Sequence, residues 1–286
     1  MRTTLQRVLV TLLLLTGAAG VGEAQAKPLI GVASGTYAHT GDARRLASVG
    51  ARWAYDWSPS SPLAGSTVEY VPMAWGARSV TSADLAAWRA ASRSGRASWL
   101  LGFNEPDMVA QANMTPDAAV ALWPRLASTG LRLASPAVAS PWTPSQTHPE
   151  RTWLDDFMIQ ARARGLRIDA IALHFYGDWT DPANVSSIEH ALEKVHARWH
   201  RPVWVTEIGT LPAWRWEGRD PHSAPTTALA RAYLRRVIAM LSAHSWVARV
   251  AWFMDRCSGD CGSSSLFDQG GHATALGRAL RAVARA

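Results

Sequence analysis

The chain has 286 residues, of which 48% are hydrophobic and 18% are charged, and this composition excludes intrinsic disorder and fibrous or low-complexity structure. The formal net charge is +7, but the arginines are dispersed, with only pairs such as Arg44-Arg45 and Arg235-Arg236. A nucleic-acid-binding protein would need a basic stripe, so we expect no nucleic-acid partner.

The N-terminal segment has the features of a secretory signal. Arg2 and Arg7 precede an apolar run from Val8 to Leu15, and Ala24-Gln25-Ala26 provides the small residues that a signal peptidase accepts. The apolar run is much shorter than the roughly 20 residues needed to cross a bilayer, which disfavours a membrane anchor. We expect cleavage after Ala26, secretion, and no stable membrane insertion.

Eight short apolar runs follow the signal segment, and most are separated by stretches of helical pattern. The predicted strands are Leu29–Ser34, Ala51–Trp57, Val68–Trp75, Ser98–Phe103, Leu131–Ala139, Ile168–Tyr176, Pro202–Ile208 and Val247–Met254. The predicted helices are Thr81–Ser94, Thr115–Ser128, Thr152–Arg164, Ser186–Trp199, Thr226–Ala243 and Thr274–Arg285.

The spacing of the strands predicts the fold class. Strand starts at residues 29 and 247 enclose seven steps of about 31 residues, close to the size of a βαβ unit. Eight such units predict an α/β fold, a single-domain (β/α)8 TIM barrel over residues 27–286. Pro59, Pro62 and Gly65 leave no room for a helix after the second strand, so a barrel with a degenerate second helix or a doubly wound sheet fits this region.

Two glutamates stand at the ends of predicted strands. Glu105 follows the fourth strand, and Glu207 lies at the end of the seventh. In a barrel the carboxyl ends of the strands form the active-site face, so ring closure brings both residues to one mouth. A salt bridge to an arginine would explain either glutamate alone, whereas a facing pair of carboxylates is what glycoside hydrolysis requires.

Aromatic residues favour the same chemistry, because a flat indole suits the apolar face of a sugar ring. Among the 15 tryptophans, core packing is expected for Trp88, Trp123 and Trp153, which lie within predicted helices. Sugar binding is expected for the tryptophans near strand ends, namely Trp57, Trp75, Trp142, Trp179 and Trp252. Strand alternation directs His174 and Tyr176 to the mouth, although a buried, hydrogen-bonded histidine is an equal alternative.

The two cysteines, Cys257 and Cys261, lie in one short Gly/Ser-rich loop. In an exported chain this arrangement predicts a local disulfide that shapes the loop. Two thiols alone cannot form a zinc site, and no histidine stands at a short ligand spacing from them. We therefore expect neither a metal nor another cofactor.

Six motifs in order resemble glycoside hydrolase family 128, whose members cleave β-1,3-glucans. They are Trp53-Ala-Tyr-Asp-Trp57, Tyr70-Val-Pro-Met-Ala-Trp-Gly76, Leu100-Leu-Gly-Phe-Asn-Glu-Pro-Asp107, Leu173-His-Phe-Tyr-Gly177, Val203-Trp-Val-Thr-Glu207 and Ala251-Trp-Phe253. The match covers nearly the whole mature chain.

The resemblance implies a role for several residues. Glu105 would be the acid/base and Glu207 the nucleophile, while Asn104 would donate to the 2-hydroxyl of the sugar being cleaved. Tyr176 would orient Glu207, and Trp252 would form the floor of the cleavage subsite. Substrate contacts are also expected from Tyr55, Asp56, Trp57 and His174, although Asp56 departs from the asparagine of the family motif.

These observations predict a secreted, monomeric, retaining endo-β-1,3-glucanase whose partner is a β-glucan polysaccharide or oligosaccharide. A glycosidase acting on mannan, xylan or β-1,4-glucan is one alternative. A glycan-binding protein of the same fold with little turnover is another, and the presence of both glutamates argues against it. The sequence has neither the G-x-S-x-G motif of serine hydrolases nor the H-E-x-x-H motif of zinc hydrolases.

Overall fold

The computed structural model describes residues 27–35, 41–60, 66–176, 181, 183–210, 227–257 and 263–286. The predicted signal peptide, Trp179 and Cys261 lie outside these residues, so the cleavage site, the role of Trp179 and the Cys257–Cys261 disulfide stay predictions. No helix in the described part of the chain is both long enough and apolar enough to span a membrane.

Eight parallel strands form a closed ring. They are β1 Leu29–Ala33, β2 Trp53–Tyr55, β3 Glu69–Tyr70, β4 Trp99–Leu100, β5 Arg132–Leu133, β6 Ile171–Phe175, β7 Val203–Ile208 and β8 Val247–Phe253. Six of them pair in the order β3-β2-β1-β8-β7-β6, and β4 pairs with β5. The bridge Met73–Leu101 joins β3 to β4, and the bridges Ala134–Ala170 and Val138–Leu173 join β5 to β6. The predicted single-domain barrel is confirmed, and the doubly wound sheet was the wrong alternative.

The described helices pack outside this ring. They are α1 Gly41–Ser48, α2 Ser82–Arg93, α3 Pro116–Ala127, α4 Trp153–Ala163, α5 Ala183–Trp199, α6 Thr227–Ser242 and α7 Ala275–Arg285. Threonine side chains cap α2, α3, α4 and α7 by accepting a backbone N–H of the first turn, and these threonines mark the predicted starts. Helix α1 was not predicted, since it is short and polar. Residues 56–60 and 66–68, which lie between β2 and β3, contain no helix.

The core has two layers. Trp88, Trp123 and Trp153 are buried between helices and strands, as predicted. Inside the barrel, the amino ends of the strands carry a packed cluster of Trp53, Trp99 and Trp204. The guanidinium of Arg249 lies over the rings of these three tryptophans and pairs with Glu69 at 2.8 Å. Because this cluster fills the amino end, the carboxyl end is left for a ligand.

Candidate active site

Glu105 and Glu207 meet at the carboxyl end of the barrel. Both are largely buried, and one carboxylate oxygen of each lies within 4.8 Å of the other. The Glu105 backbone N–H donates to the carbonyl of Ala137 at 2.7 Å, which ties the end of β4 to the segment after β5. The structure therefore brings together the two carboxylates that the strand ends predicted.

Local backbone strain occurs at this mouth. Glu105 has φ 42° and Trp57 has φ 60°, which places both in the left-handed region that favours glycine. Such a conformation costs on the order of 1–3 kcal/mol and persists only where surrounding contacts enforce it. In this protein the hydrogen bond from Glu105 to Ala137 and one from the Trp57 indole to Glu207 supply such contacts.

Three aromatic side chains hold the carboxylate of Glu207. The Trp57 indole N–H donates to Oε1 at 2.9 Å, and the Tyr55 hydroxyl lies 3.0 Å from the same oxygen. The Tyr176 hydroxyl donates to Oε2. Burial and the neighbouring charge of Glu207 raise the pKa of Tyr176 well above its ordinary value, so this hydroxyl keeps its proton and remains a donor. The orienting role that the resemblance implied for Tyr176 fits this contact.

His174 lies between the two glutamates. Its Nδ1 is 2.9 Å from Glu105 Oε1, and its Nε2 is 3.5 Å from Glu207 Oε1. Burial alone would lower the pKa of His174, but the charge of Glu207 and the hydrogen bond to Glu105 outweigh burial and raise the pKa above its ordinary value. A protonated imidazole donates to Glu105 through Nδ1 and attracts the carboxylate of Glu207 through its charge.

Neither His174 nor Tyr55 has any surface exposed to solvent, and both contact the carboxylates of the glutamates. This burial favours a supporting role for the two side chains, and their contact with a substrate stays a prediction. Trp57, in contrast, is half-buried and keeps part of its ring accessible.

His174→Gln is expected to make the stability of the protein less dependent on pH. Since the folded-state pKa of His174 is raised, its protonation stabilises the fold fully below the unfolded value of about 6.5. This stabilisation is lost as the pH rises through the folded-state pKa. The Tm difference between wild type and variant, measured by circular dichroism from pH 5 to 9, should be largest in acid and shrink toward alkaline pH. A Tm difference that does not change with pH would contradict this expectation.

Asn104 and Asp56 follow the carboxyl ends of β4 and β2. Asn104 is almost completely buried, its Nδ2 lies 3.4 Å from Gln111 Oε1, and its Oδ1 has no hydrogen-bond partner among the described residues. The amide nitrogen carries two N–H donors, so it can still donate to a sugar hydroxyl. Asp56 Oδ1 already accepts from the Tyr70 hydroxyl at 2.7 Å and the Ser58 N–H at 3.1 Å, and burial raises the pKa of its carboxyl.

Trp252 was expected to form the floor of the cleavage subsite, and this expectation was wrong. Its ring is completely buried, it donates to the Ser264 carbonyl at 2.9 Å, and it packs beside Tyr233 of α6. Side chains alternate along β8, so Trp252 points to the helix layer while Phe253 points to the barrel interior.

Phe253 is the aromatic residue of β8 at the mouth. It is half-buried, and its ring packs edge-on against Trp57 at 5.9 Å and against Tyr176 at 5.6 Å. Both neighbours donate to Glu207. Phe253 was not predicted from the sequence, although the same strand alternation that directed Tyr176 to the mouth also applies to β8.

Substitutions in β8 should separate packing from sugar binding. Trp252→Ala opens a cavity in the core and should cost about 3–5 kcal/mol of stability. Phe253→Ala, at the accessible position, should lower kcat/KM on oligosaccharides by about tenfold with a smaller loss of stability. Urea unfolding and steady-state kinetics of both variants check these outcomes. If Trp252→Ala stayed stable and had a larger kinetic defect than Phe253→Ala, Trp252 would belong to the sugar-binding site.

Two further tryptophans were predicted to bind sugar. Trp75 is half-buried in the segment after β3, where its carbonyl accepts from the Asn104 N–H at 2.9 Å. Trp142 is 54% exposed in the segment after β5, and it borders a cavity of about 280 Å³ that His174 and Tyr176 also line. The structure therefore places Trp142, more than Trp75, where a ligand could reach its ring.

Among the described residues, two groups of side chains have spacings that a metal ion could use. Glu105, His174 and Glu207 form the first, and Glu189, Glu193 and His244 form the second at the surface. A metal ligand must be a neutral imidazole, whereas the two carboxylates favour the protonated form of His174. His244 Nε2 is engaged with Glu189 at 2.9 Å. The first group therefore fits an acid–base pair better than a metal centre.

The sequence matches the family described as "Glycosyl hydrolase catalytic core" over residues 31–280. A curated relative, Alkali-sensitive linkage protein 1 of Schizosaccharomyces pombe, is 28% identical over 204 residues, which are 71% of this chain and 34% of that protein. The chain thus spans about a third of the length of that relative.

Solved structures resemble the whole barrel. A family GH128 (subgroup I) endo-β-1,3-glucanase from Amycolatopsis mediterranei in complex with laminaritriose is 38% identical, with a TM-score of 0.72 over 89% of this chain and 98% of that one. Other complexes of that enzyme carry an alanine in place of one of two different glutamates. A subgroup II endo-β-1,3-glucanase from Sorangium cellulosum is 28% identical, with a TM-score of 0.71 over 89% of this chain and 98% of that one. A subgroup III curdlan-specific exo-β-1,3-glucanase from Blastomyces gilchristii is 26% identical, with a TM-score of 0.65 over 88% and 97%.

Proposed function

Because the chain belongs to the glycosyl hydrolase catalytic core family and is a glycoside hydrolase, we propose that it cleaves β-1,3-glucan with retention of anomeric configuration. The observation that carries the stereochemical proposal is that one carboxylate oxygen of Glu105 lies within 4.8 Å of one carboxylate oxygen of Glu207. Retaining enzymes hold their two carboxyl groups roughly 5 to 5.5 Å apart, whereas inverting enzymes need roughly 6.5 to 9.5 Å to admit a water.

Glu207 is the nucleophile in this proposal. Its carboxylate attacks the anomeric carbon, the glycosidic bond breaks, and a glycosyl ester forms on Glu207. The contacts from Tyr55, Trp57 and Tyr176 fix the direction of the carboxylate before the substrate arrives. Such preorganisation avoids the cost of ordering the nucleophile during the reaction.

Glu105 is the acid/base. It gives a proton to the leaving oxygen as the first bond breaks, and it then removes a proton from the water that hydrolyses the ester. Its side chain is anchored on only one described group, the imidazole of His174 at 2.9 Å. The hydrogen bond to His174 aligns Glu105, but Glu105 is not surrounded by donors as Glu207 is. This difference favours Glu207 as the nucleophile and Glu105 as the acid/base.

The sugar to be cleaved would lie between the aromatic rings of Trp57 and Phe253 and the amide of Asn104. The half-buried rings supply apolar surface beside Glu207. Asn104, whose Nδ2 has only a 3.4 Å contact with Gln111 Oε1, would donate to the 2-hydroxyl. Hydrogen bonds to this hydroxyl strengthen in the transition state of glycoside cleavage.

The substrate assignment rests on the relatives that bind laminari-oligosaccharides and are 36–38% identical to this chain. Endo action is proposed because those relatives are endo-β-1,3-glucanases, although a more distant relative is an exo-enzyme. We also propose secretion after cleavage at Ala26, which the N-terminal pattern supports. N-terminal sequencing of protein from the culture medium checks the cleavage site.

The deciding experiment is product analysis on laminarin beside mannan, xylan and cellulose. We expect reducing ends from laminarin alone, an early fall in viscosity on a long β-1,3-glucan, and first release of the β-anomer in proton NMR. Cleavage of another glycan would show that the proposed substrate is wrong, and first release of the α-anomer would show that the enzyme does not retain the anomeric configuration. Binding of laminarin without any reducing ends would support the glycan-binding alternative.

A further inference from the structure

We propose that Asp107 is a positioning residue that holds Trp142 as a platform for the leaving-group part of the glucan, an inference that rests on the proposed function. Asp107 lies two positions after Glu105. Its Oδ1 accepts from the Ala139 N–H at 2.9 Å, and its Oδ2 accepts from the Ser140 N–H at 3.3 Å and the Thr143 hydroxyl at 2.9 Å. All three donors belong to the segment that carries Trp142.

Trp142 lines two neighbouring cavities. The inner cavity, of about 280 Å³, is lined by Trp142 together with His174 and Tyr176 of the catalytic centre. The outer cavity, of about 500 Å³, shares Pro141, Trp142 and Ala191 with it. A ligand in the inner cavity would thus contact both Trp142 and the catalytic centre.

Lys194 supports Trp142 from the outer side. It lines only the outer cavity, and its Nζ lies 5.6 Å from the centre of the indole ring. An ammonium group at this distance is attracted to the ring face. Trp142 is therefore held by the hydrogen bonds of its backbone segment and by the contact of its ring with Lys194. This restraint suits a binding platform better than a mobile loop residue.

The order of strands around the ring assigns the platform to the leaving-group side. Trp57 after β2 and Phe253 of β8 flank Glu207, which attacks the anomeric carbon. Trp142 follows β5, the neighbour of the strand that leads to Glu105. A glucan that crosses the mouth from Glu207 to Glu105 would continue toward Trp142.

A carboxylate is the side chain that these three donors require. Burial raises the pKa of Asp107, so an ionised carboxyl at this position is costly, and the three hydrogen bonds offset that cost. An asparagine could accept through only one of its two terminal atoms, because its amide nitrogen would face an N–H or hydroxyl donor. Asp107→Asn should therefore loosen the segment while preserving the volume of the side chain.

The test is a double-mutant cycle with Asp107→Asn and Trp142→Ala. Laminarihexaose reaches beyond the cleavage point, whereas β-laminaribiosyl fluoride has a leaving group too small to contact Trp142. On laminarihexaose we expect each single variant to raise KM by about tenfold, which corresponds to about 1.4 kcal/mol, with a smaller change in kcat. On the fluoride the change in KM should be several times smaller. The double variant should bind laminarihexaose no more weakly than Trp142→Ala alone.

Two further variants keep the test decisive. Asp117→Asn changes an exposed aspartate in the first turn of α3 and serves as the matched control. Thr143→Val removes one of the three hydrogen bonds and should give a smaller rise in KM, even if Asp107→Asn fails to fold. Additive effects of the two single substitutions, or equal losses on both substrates, would overturn the role of Asp107. A wild type that fails to cleave laminarihexaose would instead overturn the proposed function.

Discussion

Glu207→Gln is expected to abolish the hydrolysis of laminarin, with kcat lowered by on the order of 10⁴-fold or more. The amide cannot form the glycosyl ester, so hydrolysis through this intermediate cannot occur. The same loss is expected on β-laminaribiosyl fluoride, because a better leaving group does not replace a missing nucleophile. Initial rates on both substrates, with reducing-end and fluoride-release assays, measure the effect.

The controls for this variant concern folding and binding. Glutamine has nearly the volume of glutamate. However, Tyr55, Trp57 and Tyr176 donate to the two carboxylate oxygens, and in the variant one of these oxygens is replaced by an amide nitrogen that cannot accept. The Tm and the affinity for laminarihexaose therefore need to be measured alongside the rates. Glu193→Gln, an exposed change on α5, provides the matched control. Turnover within tenfold of wild type would show that another group is the nucleophile.

The barrel and the approach of its two glutamates could be predicted because they depend on periodic features of the sequence. Apolar runs about 31 residues apart set the strands. Parallel strands place their carboxyl ends on one face, so Glu105 and Glu207 had to approach each other once the ring closed. Helix starts were similarly predictable where a threonine such as Thr115 precedes the first turn.

Side-chain depth at the mouth could not be predicted in the same way. His174 and Tyr176 share one face of a strand end, yet His174 is completely buried while Tyr176 is partly accessible. Depth depends on how far each strand extends relative to its neighbours, and β6 and β7 shift register between Leu173 and His174. A motif-based assignment therefore identified residues near the glutamates without separating those that support the carboxylates from those that can touch a sugar.

The assignment of Trp252 failed for a different reason. The motif Ala251-Trp252-Phe253 offers two adjacent aromatic residues, and the role that the resemblance implied for Trp252 did not take the alternation of β8 into account. Neighbouring side chains of a strand point to opposite faces of the sheet. An assignment that is wrong by one position therefore places a core residue in the site. The role proposed for Asp107 could not be predicted from the sequence, because it depends on three donors in a segment more than 30 positions away.

Glu105→Gln is expected to give a defect that depends on the leaving group. On laminarin the leaving sugar oxygen needs a proton, so kcat should fall by roughly 10²–10⁴-fold. On β-laminaribiosyl fluoride the departing fluoride needs little protonation, and formation of the glycosyl ester on Glu207 should remain close to the wild-type rate. Hydrolysis of that ester still requires a base, so the ester should accumulate and an initial burst of fluoride should precede a slow steady state.

The burst is the decisive observation, because it distinguishes the two carboxylates by function. Added azide should attack the accumulated ester without the help of a base, which would restore steady-state turnover and yield a β-glycosyl azide. Glu207→Gln should show neither the burst nor the azide product. If Glu105→Gln lost activity equally on laminarin and on the fluoride, with no burst, Glu105 would not be the acid/base. The hydrogen bond from His174 would then require another explanation.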